Sequence, residues 1–204
     1  MITKTRKERE IEARKLDIMK TAAILFSRKD FHSVSVDEIA DQVGLSKGTI
    51  YLYFETKENL FFSILIDRTK NLLKALNRAV LLDSFETSLQ HFIRTYLDYF
   101  QKHEAYFKLM HSEKTRSSLE AHYQLHDYAT EIMGQFMSTI TQLLNIGIRE
   151  NVLRALDVTD MAKGLAGLLN TFTFYRIFSS SGKSPEDECE TIMELFLNGV
   201  KREN

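Results

Sequence analysis

Histidine and cysteine are the first side chains to examine for chemistry, and in this sequence they are few and dispersed. His122 and His126 stand four residues apart, which places two imidazoles on one face of a helix that could grip a metal ion. Asp127 follows them, but no third ligand can be identified, so structural or solvated histidines are the better interpretation and we expect no metal site. Cys189 is the only cysteine and has no evident base partner.

The sequence also lacks the motifs of the common enzyme classes. It has no glycine-rich phosphate loop, no Gly-x-Ser-x-Gly nucleophile sequence and no histidine-glutamate metal motif. We therefore expect neither catalysis nor a bound cofactor.

The composition is that of an ordinary globular protein, with 44% hydrophobic residues, 27% charged residues and a net charge of -1. No stretch of the sequence is long and apolar enough for a membrane span or a signal peptide, so we expect a cytoplasmic protein. The charge is uneven, because residues 1–20 carry more Lys and Arg than Asp and Glu. This segment is either a basic arm that contacts phosphates or a solvated tail.

The elements that would position any site are helices. One proline and eight glycines in 204 residues favour long helices, and apolar residues recur at helical rather than alternating spacing. We therefore predict an all-α fold. The predicted helices span residues 7–28, 36–43, 47–53, 57–80, 84–101, 103–112, 117–149, 159–180 and 185–201.

Residues 35–53 have the pattern of a helix-turn-helix. Ser35 and Glu38 are spaced as a capping box, Gly44 ends the first helix in a left-handed conformation, and Ser46 caps the second helix. In such a motif the first helix crosses the DNA backbone and the second lies in the major groove. The competing interpretation, a helical interaction module that does not bind DNA, would leave this succession of caps unexplained.

Residues 18–65 resemble the amino-terminal domain of the TetR family of transcriptional repressors. The segments SVDEIA, GLSKGTIYLYF and TKENLF follow one another at the spacing of that family, over about a quarter of the chain. The resemblance implies a helix-turn-helix DNA-binding domain over residues 1–56 and a helical effector-binding and dimerisation domain over residues 57–204. It further implies a homodimeric repressor that binds a palindromic operator and is released by a small effector, although an activator or a regulator without an effector is also compatible.

The resemblance also implies which residues contact DNA. They are Ser35, Lys47, Gly48, Thr49, Tyr51, Tyr53 and Lys57. Lys47 and Thr49 would lie near base edges or phosphate, the tyrosines would reach phosphate and sugar, and Gly48 would allow a close approach. The alternatives are a solvated Lys47 and core positions for the two tyrosines.

The remaining residues suggest an effector pocket and a dimer interface. Aromatic and methionine residues recur after residue 84, and they form either a core or a cavity for a hydrophobic effector. The residues expected to line that cavity are Phe92, Tyr96, Phe100, Phe107, Met110, Phe136, Met137, Asn170 and Phe174. Small and apolar residues on the last two predicted helices favour homodimerisation through these helices, unless they pack only within one subunit.

Overall fold

The computed structural model describes residues 5–29, 31–80, 84–111, 123–179 and 183–200. These ranges are helical and contain no β-strand element, so the predicted all-α fold is confirmed. The helices are α1 (Arg6–Arg28), α2 (Val36–Val43), α3 (Lys47–Tyr53), α4 (Lys57–Ala79), α5 (Phe85–Lys102), α6 (Glu104–Met110), α7 (Tyr123–Arg149), α8 (Val158–Ser179) and α9 (Pro185–Val200), with a 3-10 turn at Phe31–Ser33.

The predicted helix ends agree with the observed ones to within two residues, apart from the start of α7. That start cannot be compared, because residues 117–122 lie outside the described ranges. The same holds for His122, and nothing is described of the side chain of His126. No helix in the described ranges is long and apolar enough to cross a bilayer.

Contacts divide the chain into two compact units. The first comprises residues 1–68 and 105–125, and the second comprises residues 69–104 and 126–204. The division falls inside α4, which is one uninterrupted helix, whereas the predicted domain boundary at residues 56 and 57 precedes that helix. The domain boundary between residues 56 and 57 stays a prediction.

The first turns of α4 belong to the first unit because they complete its core. Leu60, Phe61 and Ile64 are buried there. The Phe61 ring packs edge-on against Phe26 of α1 and against Phe31, with centroid distances of 5.5 and 5.2 Å. This aromatic cluster fixes α4 against the helices that precede it.

The amino-terminal half of α1 is exposed on all sides from Arg6 to Asp17. A capping box starts the helix: the Glu8 amide donates to Thr5 Oγ1, and the Thr5 amide donates to Glu8 Oε2 at 2.7 Å. This cap was not foreseen from the sequence. The Lys15 ammonium group of this segment lies 5.9 Å from the centre of the buried Phe54 ring.

In the second unit, α9 packs against α5 and α8, and a buried ion pair joins the three helices. Arg176 of α8 donates to the Glu188 carboxylate of α9 at 2.8 Å and to the Leu97 carbonyl of α5 at 3.0 Å. Both charged side chains are less than a tenth exposed. Because each charge is satisfied by a hydrogen-bonded partner, the pair fixes how the helices fit together.

Candidate nucleic-acid interface

Helix α2 is capped at its amino end as predicted, but the capping box is only half formed. Ser35 Oγ accepts a hydrogen bond from the Glu38 amide at 3.0 Å. The Glu38 carboxylate does not return to Ser35, because it accepts instead from Lys29 Nζ at 2.5 Å. This ion pair ties α2 to the end of α1, while Val36, Ile39 and Ala40 bury the other face of α2.

The turn between α2 and α3 depends on Gly44. Its φ of 71° lies in the left-handed region, which a residue with a Cβ adopts at a cost. The amide of Gly44 donates to the Asp41 carbonyl, and the amide of Leu45 donates to the Ala40 carbonyl. These bonds satisfy the last carbonyls of α2 and turn the chain toward α3.

Ser46 begins the recognition helix, α3. Its hydroxyl accepts from the Thr49 amide at 3.1 Å and also lies 2.8 Å from Thr49 Oγ1. Thr49 is half-buried, and its hydroxyl is hydrogen-bonded to that of Ser46 at the start of the helix. The predicted cap is thus present, and it fixes the first turn of α3.

Helix α3 has one buried side and one strongly exposed side. Ile50 is buried, as is the capping residue Phe54. Tyr53 is half-buried, whereas Tyr51 is 43% exposed and Leu52 is 84% exposed. The core interpretation therefore fits Tyr53 in part and does not fit Tyr51.

Lys47 is paired within the motif. Its ammonium group lies 2.7 Å from Asp37 Oδ2 on α2, and this hydrogen bond raises the pKa of Lys47 above its ordinary value. Both side chains are at least half exposed, so the pair lies in solvent. A phosphate at this point would compete with Asp37 for the lysine.

Lys57 has a role that sequence reasoning missed. Its ammonium group donates to the Phe31 carbonyl at 2.8 Å and the Val34 carbonyl at 3.0 Å, and it lies 4.3 Å from the centre of the Phe31 ring. Lys57 thus fastens the segment before α2 to the start of α4. An ammonium group has three donors, and these two carbonyls accept from two of them.

Helices α2 and α3 together present a small surface of exposed groups. Lys47, Gly48 and Tyr51 are exposed, and Ser35 is exposed at the amino end of α2. A cation, a phenol and the amide groups of a helix end are groups that bind phosphate oxygens. The predicted DNA contacts Ser35, Lys47, Gly48, Thr49, Tyr51, Tyr53 and Lys57 all lie in the first unit, and their role in DNA binding stays a prediction.

The residues predicted to line an effector pocket are divided between the two units. Phe107 and Met110 belong to the first unit and the other seven to the second. Phe92, Tyr96 and Phe100 are buried along one face of α5, and Phe136 of α7, half-buried like Met137, lies 5.8 Å from the Tyr96 ring. Burial raises the pKa of the Tyr96 hydroxyl above its ordinary value.

Three of the predicted pocket residues have exposed side chains. Met110 is exposed at the end of α6, and Asn170 and Phe174 lie on the outer face of α8. Phe174 contacts Phe178 there, with ring centroids 4.6 Å apart. The buried face of α8 carries Leu165, Leu169 and Thr173 instead. A role for Asn170 and Phe174 in an effector pocket stays a prediction.

Comparison with known proteins places the helix-turn-helix in a family. Residues 18–64 match the family model described as bacterial regulatory proteins of the tetR family. An uncharacterized HTH-type transcriptional regulator of Bacillus subtilis, YuxN, is 48% identical over 48 residues, which are 24% of this chain and 16% of that protein. The chain thus aligns with only a small part of that relative's length.

Two further comparisons extend over nearly the whole chain. The HTH-type transcriptional regulator EthR of Mycolicibacterium smegmatis is 25% identical over 197 residues, which cover 92% of this chain and 86% of that protein. The crystal structure of a regulator from Saccharomonospora viridis in complex with choline superposes with a TM-score of 0.79 at 19% identity, covering 94% of this chain and 99% of that one. At this identity the structural likeness shows the fold alone.

Proposed function

Since this chain belongs to the TetR family of transcriptional regulators, which are not enzymes, we propose that it is a repressor that binds a palindromic operator as a homodimer. The observation that carries the proposal is α3, whose exposed side chains are held outward by two caps and a buried Ile50. We propose that α3 enters the major groove, with Lys47 and Tyr51 on phosphates and Ser35, Gly48, Thr49, Tyr53 and Lys57 as further contacts. A protein that reads operators acts where the DNA is, in the cytoplasm.

Tyr51 offers the direct test of DNA binding. With a duplex enriched from a random library by the protein itself, Tyr51→Ala should weaken binding by about 1–3 kcal/mol, because one good contact is lost. Tyr51→Phe should retain the part of this affinity that comes from the ring and lose the part that comes from the hydroxyl. Fluorescence anisotropy titrations at several salt concentrations measure both changes.

The thermal unfolding midpoint serves as the control for Tyr51→Ala. It should change less than for substitution of the buried Ile50, because the Tyr51 side chain is 43% exposed. Unchanged affinity for the duplex would remove Tyr51 from the interface.

Homodimerisation is supported by a groove between α8 and α9 in the second unit. The groove holds about 610 Å³ and is lined by Leu156, Asp157, Asp160, Met161, Gly164, Leu168, Leu195, Phe196, Gly199 and Val200. Gly164 leaves α8 thin at this point, and Leu195 is 53% exposed beside it. Phe174, Tyr175 and Phe178 are further exposed aromatic side chains on α8, and clustered exposed apolar side chains are typical of interaction surfaces.

Leu195→Glu tests the dimer. A carboxylate at the centre of an apolar interface would be desolvated, so the variant should sediment as a monomer and bind a single half-site weakly. The wild-type dimer should protect two half-sites whose centres are about 34–36 Å apart, or a multiple of that distance. The matched control is Glu194→Gln, at the exposed position next to Leu195. Arg154→Glu would be unsuitable, because Arg154 donates a hydrogen bond to the carbonyl of Gly199, a residue that lines the groove.

An effector site in the second unit is supported by the buried stripe of α5. Ser88, Phe92, Tyr96 and Phe100 follow one another at four-residue spacing and are all buried. Ser88 Oγ has no hydrogen-bond partner among the described residues, and the same is true of Thr173 Oγ1 on α8. Buried hydroxyls without partners are what a ligand with a polar group could satisfy.

We therefore propose that a small, largely hydrophobic effector with one polar group binds along this stripe and releases the operator. A relative of this fold was crystallised with choline, so cationic compounds belong in the trial set. Compounds are screened by the shift in thermal unfolding, and Ser88→Ala should reduce the shift given by any compound that uses this hydroxyl. A compound that releases the operator equally from Ser88→Ala and wild type would place the site elsewhere.

A further inference from the structure

One aliphatic side chain of α3 stands almost wholly in water. Leu52 is 84% exposed, the largest value among the exposed large hydrophobic residues of the described chain. The next values, for Met133 and Tyr175, are 59%. The leucine lies in the middle of the element proposed to read DNA, although the sequence reasoning passed over it between two tyrosines.

The position of Leu52 on α3 follows from helical geometry. Residues four apart lie on the same face, so Leu52 stands one turn beyond Gly48, while Ile50 points to the opposite side and is buried. Gly48 is exposed and has only Ser46 Oγ, at 3.9 Å, near the place where a Cβ would be. The outermost line of α3 therefore consists of a residue without a side chain followed by an aliphatic one.

This line has no polar side-chain atom. The hydroxyl of Thr49 is engaged with Ser46, and Lys47 and Tyr51 lie to the side of the line rather than on it. In the major groove, the aliphatic group that a base edge offers is the C5 methyl of thymine. The other groups that base edges present there, thymine O4 included, form hydrogen bonds, and an isobutyl side chain packed against them would desolvate them without replacing those bonds.

We propose that Leu52 reads a thymine in each half-site by packing on its C5 methyl, and that Gly48 lets α3 approach closely enough for this contact. The inference rests on the DNA binding proposed above and adds a specificity determinant to it. Leu52 then supplies sequence preference, whereas Lys47 and Tyr51 position the helix on the backbone.

Replacement of thymine by deoxyuridine tests the contact, because it removes the methyl group alone. In the duplex enriched by the wild-type protein, each thymine is replaced singly and the dissociation constant is measured for wild type and for Leu52→Ala. One thymine of each half-site should cost wild type about fourfold in affinity when its methyl is removed, the value of one buried aliphatic carbon. The same replacement should cost Leu52→Ala nothing, because the partner of the methyl is already absent.

Ile24→Ala provides a matched control. Ile24 is an aliphatic residue of the same unit, 45% exposed on α1 on the side opposite its buried face. This variant should retain the wild-type response to every deoxyuridine. Thermal unfolding of Leu52→Ala should match wild type, which separates a lost contact from a lost fold.

Two results would overturn the proposal while leaving DNA binding intact. In the first, no thymine of the enriched duplex is sensitive to loss of its methyl. In the second, Leu52→Ala shows the same sensitivities as wild type, so that another residue reads the methyl. If the wild-type protein enriches no sequence, operator recognition itself is wrong, and this inference is wrong with it.

Discussion

At the residue scale, Lys57 is a case in which a structural role and a proposed DNA contact have to be distinguished. The family pattern assigns its charge to a phosphate, but its ammonium group already donates to the Phe31 and Val34 carbonyls. These carbonyls lie just before α2, so the lysine stabilises the frame that carries α3. Pattern matching could not reveal this role, since the partners are backbone atoms more than twenty residues away.

Lys57→Met should therefore lower stability as well as DNA affinity. The methionine retains an apolar stem beside the Phe31 ring but cannot donate, so the two carbonyls lose a charged partner and the free energy of unfolding should fall by about 1–3 kcal/mol. Urea unfolding measures this change. If a phosphate also uses Lys57, the salt dependence of DNA binding should flatten by about one charge.

The two roles of Lys57 give different results in the same variant. A fall in stability with an unchanged salt slope would mean that the lysine is structural only. Wild-type stability of Lys57→Met would show that the hydrogen bonds to the carbonyls contribute nothing, contrary to the prediction.

At the element scale, helix ends were predictable because their causes are local. Ser35 and Ser46 are each followed within three residues by the amide that they cap, and the carbonyls satisfied at the Gly44 turn lie three to four residues before it, so a few neighbouring residues determine the boundary. The pairing of Glu38 with Lys29 was not predictable in this way, because the capping box and the ion pair compete for one carboxylate. Tertiary contact decided between them.

Helix α8 shows why the inward-facing aromatic residues could not be identified from the sequence. It carries apolar residues on its buried face and also on its outer face, where Phe174 and Phe178 are exposed. Hydrophobic periodicity indicates which side of a helix is buried only when the other side is polar. For α8 the sequence could therefore predict the helix but not which aromatics face inward.

Helix α7 provides a prediction about packing. A Cβ on Gly147 would lie 2.8 Å from ring atoms of Phe85 and 2.9 Å from Leu153 Cδ1, closer than van der Waals contact allows. Phe85 is fully buried and cannot move away freely. Gly147→Ala should therefore lower the free energy of unfolding by about 1–3 kcal/mol, the cost of overpacking, even though alanine favours the helix.

Gly134→Ala is the matched control in the same helix. Gly134 is exposed and nothing lies within 4 Å of its Cβ position, so the substitution should stabilise the protein by up to about 1 kcal/mol. Thermal or urea unfolding of the two variants compares one chemical change in two environments. Equal effects would mean that the close approach of α7 to Phe85 has no energetic consequence.

At the scale of the whole molecule, α4 is the element shared by the two compact units. It is an uninterrupted helix of 23 residues, about 35 Å long, whose first turns complete the core of the first unit and whose later residues Leu72, Leu73 and Leu76 are buried. If an effector in the second unit releases DNA from the first, this helix is the direct route along the chain. Release then requires that the effector prefer the state that binds DNA less well.

Such coupling must be reciprocal. An effector that weakens operator binding by a given factor should itself bind more weakly to the operator complex by the same factor, typically 5–150-fold. Calorimetric titration of the effector with and without the enriched duplex measures this. Lys70→Gly, at an exposed position in the middle of α4, should reduce the factor because glycine loosens the helix, and Lys70→Ala should preserve it.

Equal effector affinity with and without the duplex would show that no coupling exists. The second unit would then act as a dimerisation element alone. An equal loss of coupling in Lys70→Ala and Lys70→Gly would assign the effect to the lysine charge and not to helix rigidity.

The exposure of Leu52 has a consequence for how such a regulator diversifies. A side chain that contributes so little to the core can be exchanged with almost no folding penalty, unlike Ile50 or Phe54 beside it. Duplicated copies of this gene could therefore acquire separate regulons through change at one codon, without first accumulating stabilising substitutions elsewhere. If Leu52 reads a thymine as proposed, Leu52→Arg should redirect the preference toward guanine, and Leu52→Asn toward adenine. In α3 the residue that can change freely, Leu52, and the residues that hold the helix in place, Ile50 and Phe54, thus lie on opposite sides.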